Sequence, residues 1–177
     1  MDGELKIPVL QVVGYKNSGK TALIEKILVA GRKMGSRAGV IKHHGHGGRL
    51  EHHDRQKDTG RFCENGAAVT GITAENELEM RLTGDSPWKI EHIIEIYQQL
   101  PIDFILVEGF KQASFPKVIM VQEQEDYEEL HPLQNVIAVI TWDRELEAPG
   151  EVPIYHFSEE KQYLAYILTR LGVVASA

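Results

Sequence analysis

The sequence predicts an α/β fold in which helices pack on both sides of a mostly parallel β-sheet. Short apolar runs rich in β-branched residues, such as residues 7–13 and 104–107, have the pattern of strands buried on both faces. Segments with apolar residues at helical spacing alternate with them, most clearly residues 20–34. Strands that alternate with helices are typical of a parallel sheet between two helix layers. With 177 residues, the chain is predicted to form a single α/β domain over residues 1–177.

The remaining elements follow from the same patterns. A hairpin is predicted over residues 67–83 with a polar turn at 74–77, in addition to the parallel sheet. Ser86 is expected to cap a helix that ends near Leu100, and Ser158 to cap a last helix over residues 159–171. Residues 42–66 are polar and are predicted to form a long functional loop with at most one helical turn. The other predicted strands are residues 37–41, 117–121, 136–140 and a short one at 153–157.

Composition narrows the class of protein. The net charge of −7 argues against a general nucleic-acid binder, which usually carries a basic face. Cys63 is the single cysteine, so no intramolecular disulfide can form, and a reducing, cytoplasmic setting is expected. No stretch approaches the ~20 apolar residues that span a bilayer. A soluble protein without nucleic-acid or membrane partners is therefore expected.

Residues 14–21, GYKNSGKT, match the phosphate-binding motif G-x-x-x-x-G-K-[ST] between a predicted strand and a predicted helix. Such a loop directs backbone N–H groups and the positive end of the helix dipole at phosphates. Lys20 is expected to reach the β- and γ-phosphates and to act in catalysis, and Thr21 to offer its hydroxyl to Mg²⁺. The fold is thus predicted to be a P-loop NTPase three-layer sandwich. The motif residues expected to bind nucleotide are Gly14, Asn17, Ser18, Gly19, Lys20 and Thr21.

Carboxylates outside the motif are candidates for the metal side of the site. Glu108 follows the apolar run 104–107 and precedes a glycine, which is the position of the strand-end acid that holds Mg²⁺ in P-loop proteins. Asp54 and Asp58 lie in the polar loop, which can order around a γ-phosphate and Mg²⁺. Asp54 is assigned to the metal and Asp58 to the catalytic water, although the residues leave open which of the two serves which.

The polar loop is rich in histidine. Lys42, His43, His44 and His46 follow the second predicted strand and should emerge at the carboxyl edge of the sheet, where open α/β folds bind ligands. Imidazoles there could contact phosphates or a pterin, with Lys42, His43 and His46 as the candidates. They could instead bind a transition metal, together with His52 and His53, or form a solvated surface. The sequence does not decide between these three interpretations.

Asp143 is a candidate reader of guanine, because a carboxylate accepts hydrogen bonds from the guanine N1–H and N2 amine. It follows the predicted strand 136–140, and Trp142 beside it could pack on the base or on the core. The N-K-x-D motif common in GTPases is absent, so an ordinary surface acid explains Asp143 equally well.

Four segments together resemble the family of molybdopterin-guanine dinucleotide biosynthesis protein B (MobB). They are GYKNSGKT, KHHGH at 42–46, KDTGR at 57–61 and LVEGFK at 106–111. The resemblance implies GTP and Mg²⁺ as cofactors, weak GTP hydrolysis, and a homodimer built partly through β-strands. It also implies an accessory or adaptor role beside the guanylyltransferase that joins GMP to molybdopterin. Carried over, Lys20 and Thr21 become phosphate and Mg²⁺ contacts, Glu108 the strand-end acid and Asp143 the guanine contact. Residues 47–53 depart from the family pattern, and direct binding of molybdopterin is left open.

Two other functions compete with a GTP-binding adaptor. A metallochaperone GTPase would use the histidine loop for metal delivery, but the chain lacks a Cys-Pro-Cys-type thiolate pair. A P-loop kinase would need an arginine-rich lid, and only Arg55 and Arg61 suggest one. Neither a committed base nor a placed arginine finger is apparent, so the chain is expected to be at most a slow GTPase.

Overall fold

A computed structural model describes residues 5–44, 58–148 and 150–173. The chain divides into two compact units, one formed by residues 1–45 with 93–177 and the other by residues 46–92. The helices are α1 Lys20–Lys33, α2 Asp58–Glu64, α3 Ile90–Tyr97, α4 Gln124–Leu130 and α5 Glu160–Arg170. The strands are β1 Val9–Gly14, β2 Ala38–Lys42, β3 Val69–Ala74, β4 Glu77–Leu82, β5 Phe104–Glu108, β6 Lys117–Val121, β7 Val136–Thr141 and β8 Ile154–His156.

The larger unit is built on a six-stranded sheet with the order β2-β5-β1-β6-β7-β8. Every neighbouring pair in this sheet is parallel, which confirms the predicted fold class. Strand β1 lies at the centre, between β5 and β6. The carboxyl ends of β1, β2 and β5 therefore share one edge of the sheet, and the loops that follow them are neighbours there.

Apolar clusters cover both faces of this sheet, which explains why its strands are continuous apolar runs. Val12 belongs to the cluster that contains α1 and α5 side chains such as Leu23 and Ile167. Val13, the next residue along β1, belongs to the cluster that contains Tyr127 and Leu130 of α4. Successive residues of a strand point to opposite faces, so both faces of β1 are buried and the unit has three layers.

The predicted hairpin is confirmed in the smaller unit. Strands β3 and β4 pair antiparallel from Val69 opposite Leu82 to Ala74 opposite Glu77, and form a separate two-stranded sheet. Residues 71–80 are all exposed. Residues opposite each other share a face, so Val69, Leu78 and Met80 lie on the same face of the hairpin.

The prediction that Ser86 caps a helix was wrong, because α3 begins only at Ile90. Residues 84–89 are all exposed, whereas Ile90 and Ile94 are buried. A short helix depends on packing of its apolar side to offset the cost of nucleation, and that packing starts at Ile90. The helix also ends earlier than predicted, at Tyr97.

Ser158 was also wrongly predicted as a cap. The N-cap of α5 is Glu159, and it makes no side-chain capping hydrogen bond. The hydroxyl of Ser158 lies 2.6 Å from Nδ1 of His156 and 3.4 Å from Nη2 of Arg144, so it serves the preceding turn instead. Helix α4, for which no prediction was made, has Glu125 and Asp126 in its first turn and buries Tyr127 and Leu130.

Among the helices of the described residues, none is long and apolar enough to cross a membrane.

Candidate functional site

The segment between β1 and α1 forms the turn that the phosphate motif requires. Strand β1 ends at Gly14, and Gly19 caps α1 with a left-handed φ of 96°. A Cβ on Gly19 would lie 3.1 Å from Cε of Met120 and 3.2 Å from Cζ2 of Trp142. Asn17 is also left-handed, with a φ of 65°, which asparagine tolerates better than most residues. We call residues 14–21 the cradle.

Ser18 is the buried residue of the cradle. Its side chain is fully buried, and its hydroxyl has no hydrogen-bond partner among the described residues. Its backbone carbonyl accepts a 2.9 Å hydrogen bond from Nε1 of Trp142. Thr21, in contrast, lies exposed in the first turn of α1, where its hydroxyl can reach a ligand.

Lys20 lies in the cradle with its ammonium turned toward the loop. Its Nζ donates to the backbone carbonyl of Tyr15 at 2.5 Å. Desolvation lowers the pKa of Lys20; Glu108 opposes this effect, and the like charges of Lys42 and Lys111 add to it. A cation that is desolvated and held by a neutral carbonyl would be stabilised by an anion, so the surroundings of Lys20 fit phosphate oxygens.

Glu108 lies at the same sheet edge as the cradle. It is aligned with Val12 of β1 on one side and with Lys42 of β2 on the other. Its Oε1 lies 3.1 Å from Nζ of Lys42, and its side chain is 12% exposed against 61% for the lysine. The structure thus brings the predicted strand-end acid together with Lys42, and the pair is adjacent to the strand that carries the cradle.

Sequence reasoning missed Gln11, which fixes the connection between β5 and β6. Gln11 is fully buried in β1, and its Nε2 donates to the carbonyls of Gly109 and Phe110 at 3.0 and 2.9 Å. Its backbone N–H donates to the carbonyl of Pro116 at 2.8 Å, so β1 holds both ends of the connection. The available signal was an amide side chain inside an otherwise apolar strand, VLQVVG.

Lys117 was missed as well. It is fully buried at the start of β6, and its ammonium donates to the carbonyls of Ala113, at 2.8 Å, and Gln134. Burial lowers the pKa of Lys117. The two hydrogen bonds fasten the middle of the β5–β6 connection to the turn before β7.

Trp142 joins the end of β7 to the cradle. Besides donating to Ser18, its ring stacks on Phe157 with the centroids 4.0 Å apart. The backbone carbonyl of Trp142 accepts from Nε2 of His156 at 3.1 Å. The sequence suggested a packing role for Trp142 on a base or on the core, but not its hydrogen bond to the cradle.

Asp143 lies in a tight turn directly after β7. Its Oδ1 accepts a 2.9 Å hydrogen bond from the backbone N–H of Glu145, and its own N–H donates to Oγ1 of Thr141 at 2.9 Å. The side chain is half-buried. Because Trp142 is bonded to Ser18, the turn that carries Asp143 is a neighbour of the cradle.

Residues 9–142, more than half of the chain, match the family described as "Molybdopterin guanine dinucleotide synthesis protein B" (MobB). The chain belongs to this family. The match covers β1 and the cradle, β5 with Glu108, and ends at Trp142, so the two strand ends beside the cradle are part of it. Family membership places the chain among proteins of molybdopterin-guanine dinucleotide synthesis.

Individual MobB proteins support the assignment. The chain is 40% identical to a probable molybdopterin-guanine dinucleotide biosynthesis adapter protein of Bacillus subtilis, over 93% of each chain. Its structure is similar to that of a MobB homolog from Bacillus stearothermophilus, with a TM-score of 0.76 and 32% identity over 94% of this chain and 99% of the other. The crystal structure of Bacillus subtilis MobB gives the same TM-score with 36% identity, over 93% and 98% of the two chains.

Several residues that the sequence predicts for the site of this MobB chain lie outside the described residues or in the smaller unit. His46 and Asp54 lie outside the described residues, as do His52 and His53. Asp58 begins α2 in the smaller unit, where its Oδ1 lies 3.8 Å from Nη1 of Arg61. The roles assigned to these side chains stay predictions.

The histidine loop is described only at its start. The backbone N–H of His43 donates to the carbonyl of Glu108 at 2.9 Å, and its ring lies 4.5 Å from that of Phe110. Within residues 5–44, 58–148 and 150–173, no three His, Cys, Asp or Glu side chains converge as a metal site. The metallochaperone alternative depends on residues beyond these ranges and stays untested.

Proposed function

We propose that this chain binds GTP with Mg²⁺ in the cradle, hydrolyses it slowly, and acts as an adapter in molybdopterin-guanine dinucleotide synthesis. The observation that carries the nucleotide proposal is the charge around the cradle. Lys42 and Lys111 lie close enough to Lys20 to lower its pKa, while Glu108 is the carboxylate that opposes them. Around Lys20 itself, three ammonium groups face one carboxylate, and this excess of positive charge favours a ligand with several negative charges.

Magnesium fits the oxygen ligands at this edge. The exposed hydroxyl of Thr21 and the carboxylate of Glu108 are hard donors of the kind Mg²⁺ prefers, and Asp54 stays a candidate. Lys42 now neutralises Glu108, so Mg²⁺ binding at Glu108 would release Lys42 toward phosphate. When bound, the metal would neutralise charge on the phosphates. His43 and His46 stay candidates for further contacts to the ligand.

Asp143 is proposed to select guanine. Its turn is held beside the cradle by Trp142, and one of its oxygens already accepts from the backbone of Glu145. A carboxylate has two oxygens with several lone pairs, so it can keep this bond and still accept from a base. Adenine does not present the paired donors that guanine does, which would give a preference for GTP.

The adapter role rests on relatives. The Bacillus subtilis relative is named a probable molybdopterin-guanine dinucleotide biosynthesis adapter protein. We propose that this chain likewise assists the guanylyltransferase that joins GMP to molybdopterin, with molybdopterin as a candidate second ligand. Slow hydrolysis is proposed because the sequence shows neither a committed catalytic base nor a placed arginine finger, a group that accelerates hydrolysis by about 10³–10⁵.

Calorimetry with GTP and ATP, each with Mg²⁺, tests the nucleotide proposal. The wild-type chain is expected to bind GTP more tightly than ATP. In Asp143→Asn the amide oxygen can still accept from Glu145, so the turn is retained while the carboxylate is lost. We expect GTP to bind about tenfold more weakly and ATP to be unchanged, because a hydrogen bond to a charged group contributes about 1.5–3 kcal/mol.

Glu145→Gln is the matched control, since Glu145 is an exposed acid in the same turn. It should leave both affinities unchanged. Equal losses of GTP and ATP in Asp143→Asn, or equal losses in both variants, would contradict guanine selection by Asp143. Absence of binding to either nucleotide would overturn the proposed function.

A homodimer formed through the hairpin is part of the proposal. Val69, Leu78 and Met80 share a face of the hairpin and are 52%, 62% and 55% exposed. An isolated two-stranded hairpin is marginally stable in water, and its open edges are templates for pairing with another strand. Strand pairing with a second copy would satisfy an open edge, and packing of the two apolar faces would bury these side chains.

Sedimentation at micromolar concentration tests the dimer. The wild type should have the mass of two chains, and Met80→Glu should shift the mass toward one chain because it places a charge on the apolar face. Glu79→Gln, on the opposite face, should leave the mass unchanged. A wild-type mass of one chain would contradict the dimer.

A further inference from the structure

Lys111 lies beside the cradle, although it belongs to a different loop. It follows Gly109 and Phe110 in the β5–β6 connection. Its Nζ lies 3.8 Å from the centroid of the Tyr15 ring, and Tyr15 is the second residue of the cradle. The carbonyl of the same Tyr15 accepts the ammonium of Lys20. Two cations from different loops thus converge on one cradle residue.

The Tyr15 ring that Lys111 contacts is itself held in place. The hydroxyl of Tyr15 donates to Oε2 of Glu129 on α4. This hydrogen bond is the largest cause of the raised pKa of Tyr15, so the hydroxyl stays a donor. The face of the ring is therefore turned to Lys111 while its edge is tied to α4.

The connection that carries Lys111 is also fixed. Gln11 holds the carbonyls of Gly109 and Phe110, and Lys117 holds that of Ala113. Phe110 has a left-handed φ of 52°, a conformation that a bulky residue adopts only when its surroundings impose it. Two buried side chains, Gln11 and Lys117, thus hold the backbone on either side of Lys111.

Neither of the neutral groups that hold these two ammoniums competes well with a phosphate. A ring face attracts an ammonium weakly at a partly exposed site, and Lys111 is half-buried. An ammonium interacts more strongly with an anionic phosphate oxygen than with a neutral carbonyl or a ring face, because both partners are then charged. Exchange of the ring for phosphate is therefore favourable.

We propose that Lys111 is a second phosphate-binding lysine of the cradle, held on the face of Tyr15 until the nucleotide arrives. The inference rests on the proposed function. Because Lys111 shares Tyr15 with Lys20, it should contact the same outer phosphates that Lys20 is expected to bind. Its contribution should therefore be larger for GTP than for GMP.

Calorimetry of Lys111→Met and Lys111→Arg tests the inference. Lys111→Met should lower the affinity for GTP about tenfold or more, because it loses a hydrogen bond to a charged group. The affinity of Lys111→Met for GMP should fall by a smaller factor. Lys111→Arg should retain most of the affinity for GTP because it keeps the charge. Lys33→Met, at the opposite end of α1, removes the same charge at an exposed position and controls for net charge.

The outcomes separate the two proposals. A wild-type chain that binds no nucleotide overturns the proposed function and the inference with it. A wild-type chain that binds GTP, with no greater loss in Lys111→Met than in Lys33→Met, overturns the inference alone. Unchanged thermal unfolding of Lys111→Met shows that any loss arises in the site and not in the fold.

Discussion

Lys20→Ala is expected to lower the affinity for GTP by about 10- to 100-fold, because each hydrogen bond to a charged group contributes about 1.5–3 kcal/mol. The Lys20 ammonium is desolvated, and among the described residues its hydrogen bond goes to the carbonyl of Tyr15. Phosphate would supply the negative charge that this position lacks. The measurement is calorimetry with GTP and saturating Mg²⁺.

Lys33→Ala provides the control, since Lys33 is the last residue of the helix that Lys20 begins. It should leave GTP affinity unchanged. Lys20→Ala should also unfold at no lower a temperature than the wild type, because it removes a cation whose pKa is lowered by desolvation. Undiminished GTP binding by Lys20→Ala would refute the assignment of residues 14–21 as the phosphate site.

The parallel sheet could be predicted because its strands are buried on both faces. Strands β5 and β6 stand out because each contains four consecutive apolar residues, and their observed bounds differ from prediction by at most one residue. The helix after the cradle was equally clear, since Leu23, Ile24 and Ile27 recur at helical spacing and are buried. Local periodicity suffices where each element buries its own apolar side.

Short helices were harder to predict, because their existence depends on contacts from elsewhere in the chain. Helix α4 has seven residues and buries only Tyr127 and Leu130. These two residues three positions apart form too short a pattern to stand out in an acidic segment. The start of α3 was missed for the related reason that Ser86 and Pro87 look like a helix start but lie before the buried part.

The candidate site was predictable where a motif implies chemistry, and not where it depends on contacts distant in the sequence. Glu108 could be singled out as a candidate because it ends an apolar strand. Gln11 and Trp142 act through backbone carbonyls 98 to 124 positions away, and Lys117 also holds the carbonyl of Gln134, 17 positions away, which no spacing rule reveals. A polar side chain within an apolar strand is the local sign of such contacts, because it must find a partner when buried.

Gly14→Ala is expected to have the largest effect on the fold. A Cβ on Gly14 would lie 2.7 Å from the carbonyl oxygen of Met120 and 2.5 Å from Oγ of Ser18. Met120 is aligned with Gly14 in the adjacent strand β6, so the carbonyl belongs to the central sheet and cannot readily move. Overpacking of this kind costs about 1–3 kcal/mol and occasionally more. The unfolding temperature should fall by about 2–4 °C for each kcal/mol of stability that is lost.

Gly14→Ala should also lower the affinity for GTP, because the clash with Ser18 displaces the loop whose N–H groups would hold phosphate. Gly84→Ala is the matched control: a Cβ there would lie 3.5 Å from its nearest neighbour, the carbonyl oxygen of Ser86, so the unfolding temperature should be unchanged or slightly raised. The two effects of Gly14→Ala arise from one methyl group that meets the sheet on one side and the cradle on the other. A Gly14→Ala chain that unfolds like the wild type and binds GTP equally well would contradict this close approach of β1 to β6.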